Sequence, residues 1–291
     1  MLHMLFAATL STAPVLGAPT IFAPGVVSRY TNNGSPTFSP DGKTLFFARS
    51  ANWSVILESH RQGDGWSTPE IAPFSGTWND WSPEFSPDGR YLIYVSVRPK
   101  LGANLYRVDR TGNGWSQPVR LPDAVNIGRS QWKPSIAGDG SIYFTSVTKA
   151  GKRLYCSRYV DGAYRSAQPL SFSDGTHGDV DPEVAPDEAF MVFASNGRTP
   201  GDSADHLFIV YRTAGAWGEP QPLRYAGDDA NGRSTDNEPH LSPDGHTLYF
   251  SSDRTLPVQF PRTREQAQAD LEQMQTWNNG NLNAWFLTLT K

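Results

Sequence analysis

The sequence holds a single cysteine, Cys156, among 291 residues. That excludes an internal disulfide, and no neighbouring thiol or imidazole completes a zinc site around it. Its place in mid-chain also gives no N-terminal lipid attachment. Basic excess is missing too: 25 Lys and Arg stand against 29 Asp and Glu, for a formal net charge of −4. Without a basic stripe to neutralise phosphates, a nucleic-acid partner is excluded. Beyond the N-terminus no apolar run approaches the length of a membrane helix, so a mature chain would carry no transmembrane segment. Motifs for common chemistries are absent as well: there is no Gly-x-Ser-x-Gly elbow, no phosphate-cradling glycine loop and no His-Glu-x-x-His helix.

What is present is a repeat, set in a chain rich in glycine (26), proline (23) and aromatics (12%). The stretch SPEFSPDGRYLIYVS, starting at Ser82, returns as SPTFSPDGKTLFFA at Ser35, KPSIAGDGSIYFTS at Lys133, DPEVAPDEAFMVFAS at Asp181 and EPHLSPDGHTLYFSS at Glu238. In each copy a short apolar run stops at Pro-Asp-Gly or a variant, and a run of β-branched and aromatic residues follows. Proline sets φ, aspartate caps the turn and glycine accepts positive φ, which makes a hairpin. The second run, such as Tyr91-Leu92-Ile93-Tyr94, is apolar on both faces, as a strand packed on both sides must be. A third run (Asn104–Val108, His206–Tyr211) and a fourth opening on Trp66, Trp115, Tyr164 or Trp217 complete four strands per unit. Four strands repeated about every 50 residues make a propeller blade.

Five units fill the chain, so the expectation is an all-β, five-bladed propeller, one domain over 18–291 with repeats starting near 35, 82, 133, 181 and 238. The last unit ends before a fourth strand, and Thr20–Gly25 precedes the first repeat where a fourth strand normally stands. The N-terminal segment should therefore close the ring as the outer strand of the last blade and remove exposed edges.

These repeats resemble the TolB-like β-propeller family with its WD40-like, Ser-Pro-x-Phe-Ser-Pro-Asp-Gly turn. The resemblance covers essentially the whole chain after residue 17. It implies a propeller and a cell-envelope setting, and no single activity, since such propellers serve as periplasmic protein-binding modules and as domains attached to peptidases. The chain departs from the pattern at Gly138-Asp139-Gly140 and Asp187-Glu188, which bears on the local turn type alone.

Residues 1–17 form a short apolar segment ending in small residues, the pattern of a secretory leader cleaved after Gly17, though its only early basic group is His3. A periplasmic or secreted protein follows. Between residues 253 and 281 the repeat stretches, and Thr263 followed by Gln266 is a capping-box signature for a helix with Ala267, Leu271 and Met274 on one face. The insertion falls between the second and third strands of blade five. In an up-and-down blade that places it on the face where each blade begins, as a lid or as a rim excursion.

On that same face two sets of candidate residues converge. Segments before the first strands offer Trp78, Asp80, Trp81, Trp132, Lys133, His177, Asp181 and Asp236, and cations after the second strands include Arg98, Arg198 and Arg254. Aromatic platforms with carboxylates and guanidinium groups suit an oligosaccharide or a segment of an envelope protein. For a cation recurring in every blade the simplest reason is a repeated structural ion pair tying one loop to the next. A further set comes from aligning the position after the strand-one proline: Thr37, Glu84, Ser135, Glu183 and His240, which the two-residue period turns toward the axis. Glu84, Glu183 and His240 would suit acid/base work in a carbohydrate-active hydrolase or lyase, or a divalent cation such as calcium, manganese or zinc in the channel. Solvated polar groups lining a channel would look the same in sequence. The leading expectation is an exported binding module recognising a protein or carbohydrate on the insertion-bearing face; the alternative is the channel enzyme.

Overall fold

A computed structural model describes residues 15–99, 101–112, 114–198, 201, 203–226 and 234–289. Five antiparallel sheets surround one axis, each with its first strand innermost. Blade two is representative: Asn79–Phe85, Tyr91–Arg98 and Gly102–Thr111 pair in order, and Gly114–Trp115 and Val119–Arg120 form a broken outer strand. The five first strands begin at Asn32, Asn79, Ser130, Val180 and Asp236.

The turns hold for the reason their composition suggests. Asp41, Asp88, Asp139, Asp187 and Asp244 each accept the backbone N–H two residues on. Gly42, Gly89, Gly140 and Gly245 take the positive-φ position that follows. In blade four Glu188 occupies that position at φ 58°. Its carboxylate is held by Arg158, Arg212 and the Tyr143 hydroxyl, which offsets the backbone cost.

The core is divided. Five separate hydrophobic clusters occupy the five seams between blades. The second strand of blade two sends Leu92 and Tyr94 into the seam with blade one, and Tyr91, Ile93 and Val95 into the seam with blade three. This is why its residues are apolar on both faces. Cys156 is buried in the seam of blades three and four, where burial raises its thiol pKa.

Closure follows the expected route. Thr20–Ile21 pairs antiparallel with Asn283–Thr288, opposite Phe286 and Trp285, so the N-terminal strand becomes the outer strand of blade five. Phe22 then stands edge-on to Phe38, Trp66, Tyr249 and Phe286, joining the last blade to the first. The expected leader lies outside the described residues through position 14; of the rest, Leu16 is buried and bridges to Tyr225.

The inserted helix is Arg264–Thr276, capped at Thr263 with the Gln266 capping box intact. Its apolar face remains uncovered: no residue of it is buried, and Leu271 and Met274 are exposed. The insertion is anchored at its base, where Asn281 donates to Tyr30 O and Leu282 N donates to Asn32 Oδ1. Those contacts place it on the face where blades begin. Among the described residues no helix is long and apolar enough to cross a membrane.

Candidate functional site

The first strands build the axis with one device. Their pairing shifts register between Trp81 and Glu84, Trp132 and Pro134, Val180 and Glu183, and Asn237 and His240. At three of these bulges Ser82, Asp181 and Glu238, each followed by proline, sit at φ 46°, 53° and 47°. Left-handed backbone at a non-glycine residue costs roughly 1–3 kcal/mol and persists only where the surroundings over-determine it. The result is two polar tiers around the axis. One holds Ser35, Ser82, Lys133, Asp181 and Glu238; the next, two residues along each strand, holds Thr37, Glu84, Ser135, Glu183 and His240. All are buried except Glu238, which is half-buried.

Much of the second tier is structural. A bulge frees a backbone N–H that needs an acceptor. Thr37 Oγ1 takes the N–H of Phe85 at 3.2 Å, Ser135 Oγ that of Val184 at 2.9 Å, and Glu183 Oε1 that of Leu241 at 2.7 Å. Each bond runs from one blade to the next.

Lys133 is fully buried, with Nζ 2.9 Å from Glu183 Oε2 and 3.1 Å from Pro182 O. Burial alone would depress its pKa, but the carboxylates of Glu183, Glu84 and Asp181 more than offset that, and the ammonium is stabilised. Burial raises the pKa of Glu183, with Glu84 adding to the rise. Glu84 and His240, from blades that are not neighbours in the ring, meet with Oε2 and Nε2 3.0 Å apart. Neither atom has a hydrogen bond of good geometry, while His240 Nδ1 lies 3.1 Å from Ser35 Oγ. Burial pushes Glu84 up to about 7 and, with Lys133 adding to the effect, His240 down to about 3. Both are therefore neutral in mildly acidic solution, with no full charge buried by this contact.

Glu84, Glu183 and His240 do converge, offering one ligand atom each within 4.8 Å of one another. Two oxygens and an imidazole nitrogen are a donor set that suits a divalent ion. The Lys133 ammonium, however, already supplies the local positive charge and engages Glu183.

Toward the face where blades begin, the axis opens into a pocket of about 360 Å³. Trp81, Trp132, Asn33, Asn237, Asp181 and Glu238 are among its lining residues. Glu238 accepts hydrogen bonds from Ser82 and Ser251. Trp132 Nε1 donates to Ser130 Oγ at 2.9 Å, and Lys152 stands over its ring.

Other candidates lie elsewhere. Trp78 lines an open groove at the rim with exposed Trp53 and with Arg98, whose guanidinium stacks 3.9 Å from the Tyr106 centroid. Arg198 binds Asp179, and Arg254 binds Asp236, within single blades. Asp80 accepts from Ser75 Oγ and Gly76 N, and His177 lies 3.1 Å from Gly197 O through Nδ1. These side chains brace loops and do not line the axial pocket. The residue that sequence reasoning passed over is Glu238. Its signal was present: it occupies the pre-proline column that also holds Lys133 and Asp181.

Fold and site together define a five-bladed β-propeller with a polar axis opening at one mouth. No family model matches the chain, and no curated protein matches it. Solved structures do share its fold, TolB-like propellers among them. The putative TolB of Agrobacterium tumefaciens superposes with a TM-score of 0.55 at 18% identity, covering 90% of this chain and 91% of that one. TolB of Acinetobacter baumannii gives 0.52 at 16% identity; 90% of this chain is covered, and it spans 55% of the length of that protein. A xylan β-1,4-xylosidase of Bacillus halodurans C-125 gives 0.54 at 14% identity, over 92% of this chain and 55% of the enzyme.

Proposed function

We propose that the protein is an exported, non-catalytic binding module that takes its ligand at the axial mouth, on the face where the blades begin. The observation that carries this reading is the 360 Å³ pocket, a size typical of ligand sites, with two tryptophans and convergent polar groups. The TolB-like folds support a propeller of this general kind, and the apolar N-terminal segment supports export to the envelope. An envelope protein segment or an oligosaccharide fits such a surface.

The catalytic alternative rests on the convergence of Glu84, Glu183 and His240. Access weighs against it. The cavity those two carboxylates line at the turn-bearing end is only about 140 Å³, whereas ligand pockets run from about 300 Å³. Glycosidases also leave about 5 Å or more between their carboxyl groups for the reacting sugar, and here both carboxyl groups are already engaged, Glu183 by Lys133 and Glu84 by His240.

The test is to screen the purified protein against glycan arrays and envelope extracts, with Trp81→Ala and Trp132→Ala alongside. Binding weakened in either variant supports the mouth as the site; binding unchanged in both removes it. A polysaccharide panel with Glu183→Gln tests the alternative, which requires turnover in the wild type that the variant loses.

A further inference from the structure

Several buried acids in this fold come with a cation. Asp179 has Arg198, Asp236 has Arg254, Glu183 has Lys133, and Glu188 has Arg158 and Arg212. Among the described residues Asp80, Glu84 and Asp181 lack a charged cation partner, and of these only Asp181 lines the mouth pocket. It is only 9% exposed, and its carboxylate accepts one long hydrogen bond, 3.4 Å from Glu238 N to Oδ2. Among the described residues Oδ1 accepts none, and this side chain lines the mouth pocket beside Glu238.

The rest of the pocket repeats the pattern. Among the described residues its lining holds two carboxylates and no lysine, arginine or histidine. Asn237, also in the lining, has a buried Oδ1 with no hydrogen-bond partner. Among the described residues the cation toward the axis is Lys133, already held by Glu183 and Pro182. Four acids, Glu84, Asp181, Glu183 and Glu238, thus share one ammonium along the axis among the described residues, and burial with Glu238 alongside lifts Asp181 to about 7, a rise that a cation bound in the pocket would oppose. Aromatic faces attract cations, by about 0.5–2 kcal/mol depending on desolvation. Lys152 already uses Trp132 in this way, which leaves Trp81 as the platform. Room for the second carboxylate is built in, because a Cβ on Gly34 would stand 2.8 Å from Glu238 Oε2.

We infer that the mouth pocket is a site for an organic cation, an ammonium or guanidinium group held by Asp181 and Glu238 against Trp81. The inference deepens the binding-module reading and rests on it. Two sources carry this chemistry: a free polyamine, and the side chain of a lysine or arginine in a protein segment. A charge-assisted contact to each carboxylate is of the strong class, so losing one should cost at least tenfold in affinity.

Isothermal titration of the full chain decides it, with spermidine, a blocked Gly-Lys-Gly peptide, the same peptide acetylated at the lysine, and xylohexaose as probes. The expected result is that spermidine or the lysyl peptide binds, the acetylated peptide does not, and affinity falls at least tenfold in Asp181→Asn and Glu238→Gln. Gly34→Ala, which keeps both charges and displaces the Glu238 carboxylate, should weaken binding as well. Melting curves no lower than wild type for Asp181→Asn would show that the loss is not unfolding. Spermidine alone binding identifies the free cation as the source, and the peptide alone identifies a side chain. The inference is overturned if neither cation binds, if acetylation makes no difference, or if Asp181→Asn binds the cation unchanged. Xylohexaose binding that Trp81→Ala abolishes, without cation binding, overturns the inference and leaves the mouth as the binding site. If no probe binds and Trp81→Ala and Trp132→Ala leave capture from envelope extract unchanged, the mouth itself is lost as a site.

Discussion

Replacing Lys133 by methionine tests how the axis is held together. Methionine keeps most of the side-chain volume, so the cavity contribution is small. What disappears is the one ammonium among the axial carboxylates, 2.9 Å from Glu183 and fully buried. Removing one partner of a buried pair leaves the other charge uncompensated and costs about 3–5 kcal/mol. That is a large fraction of the roughly 5–15 kcal/mol by which native proteins are stable. Urea denaturation at pH 8 should therefore show Lys133→Met destabilised by about that amount. The double variant Lys133→Met/Glu183→Gln should recover most of it, because the amide oxygen can still accept the Leu241 N–H while the orphan charge is gone. In Lys133→Met, Glu183 loses the cation that opposes its rise, so its folded pKa climbs further above the ordinary 4.5. A raised carboxylate contributes stability below its unfolded pKa and loses it as pH rises through the folded one. The deficit should accordingly shrink at pH 5. A single variant within about 1 kcal/mol of wild type at pH 8, well short of the expected cost, would refute the buried pairing.

Three further outcomes follow from the same geometry. Burial lifts Glu84 from 4.5 to about 7, so its contribution is full below pH 4.5 and fades as pH climbs through 7, by about 3 kcal/mol in all. Melting temperatures from pH 5 to 8 should fall less steeply in Glu84→Gln than in wild type. Phe22→Ala removes the ring that joins the closing strand to four aromatic partners and should cost about 2–4 kcal/mol in chemical denaturation. Limited proteolysis should cut that variant first near Thr20–Ile21, the strand that closes the ring.

The fold was legible because the repeat states its own physics. Alternation of apolar residues on both faces of Tyr91–Val95 meant two seams, and the Asp-Gly turns meant hairpins; both are present as expected. The convergence of Glu84, Glu183 and His240 was legible too, since a column of equivalent positions in a ring must meet at the axis. Pairing was not. Nothing local to Arg198 or Arg254 announces that its carboxylate partner stands 19 or 18 residues earlier in the same blade. The bulges were also hidden, because left-handed backbone at Asp181 and Glu238 runs against the preference of a residue that precedes proline. Those two bulges aim the acids that give the mouth its charge. The helix shows the limit of periodicity: Ala267, Leu271 and Met274 share a face, yet tertiary context leaves that face uncovered.

First strands from distant parts of the chain meet at one buried axis, and His240, 2% exposed, reports on that directly. Nitrogen-15 NMR of its imidazole across pH 4 to 8 is the measurement. Burial and the nearby Lys133 ammonium hold its pKa down to about 3, so the ring should remain neutral through pH 5. A titration centred near the ordinary 6.5 would place His240 in solvent and contradict the assembled axis.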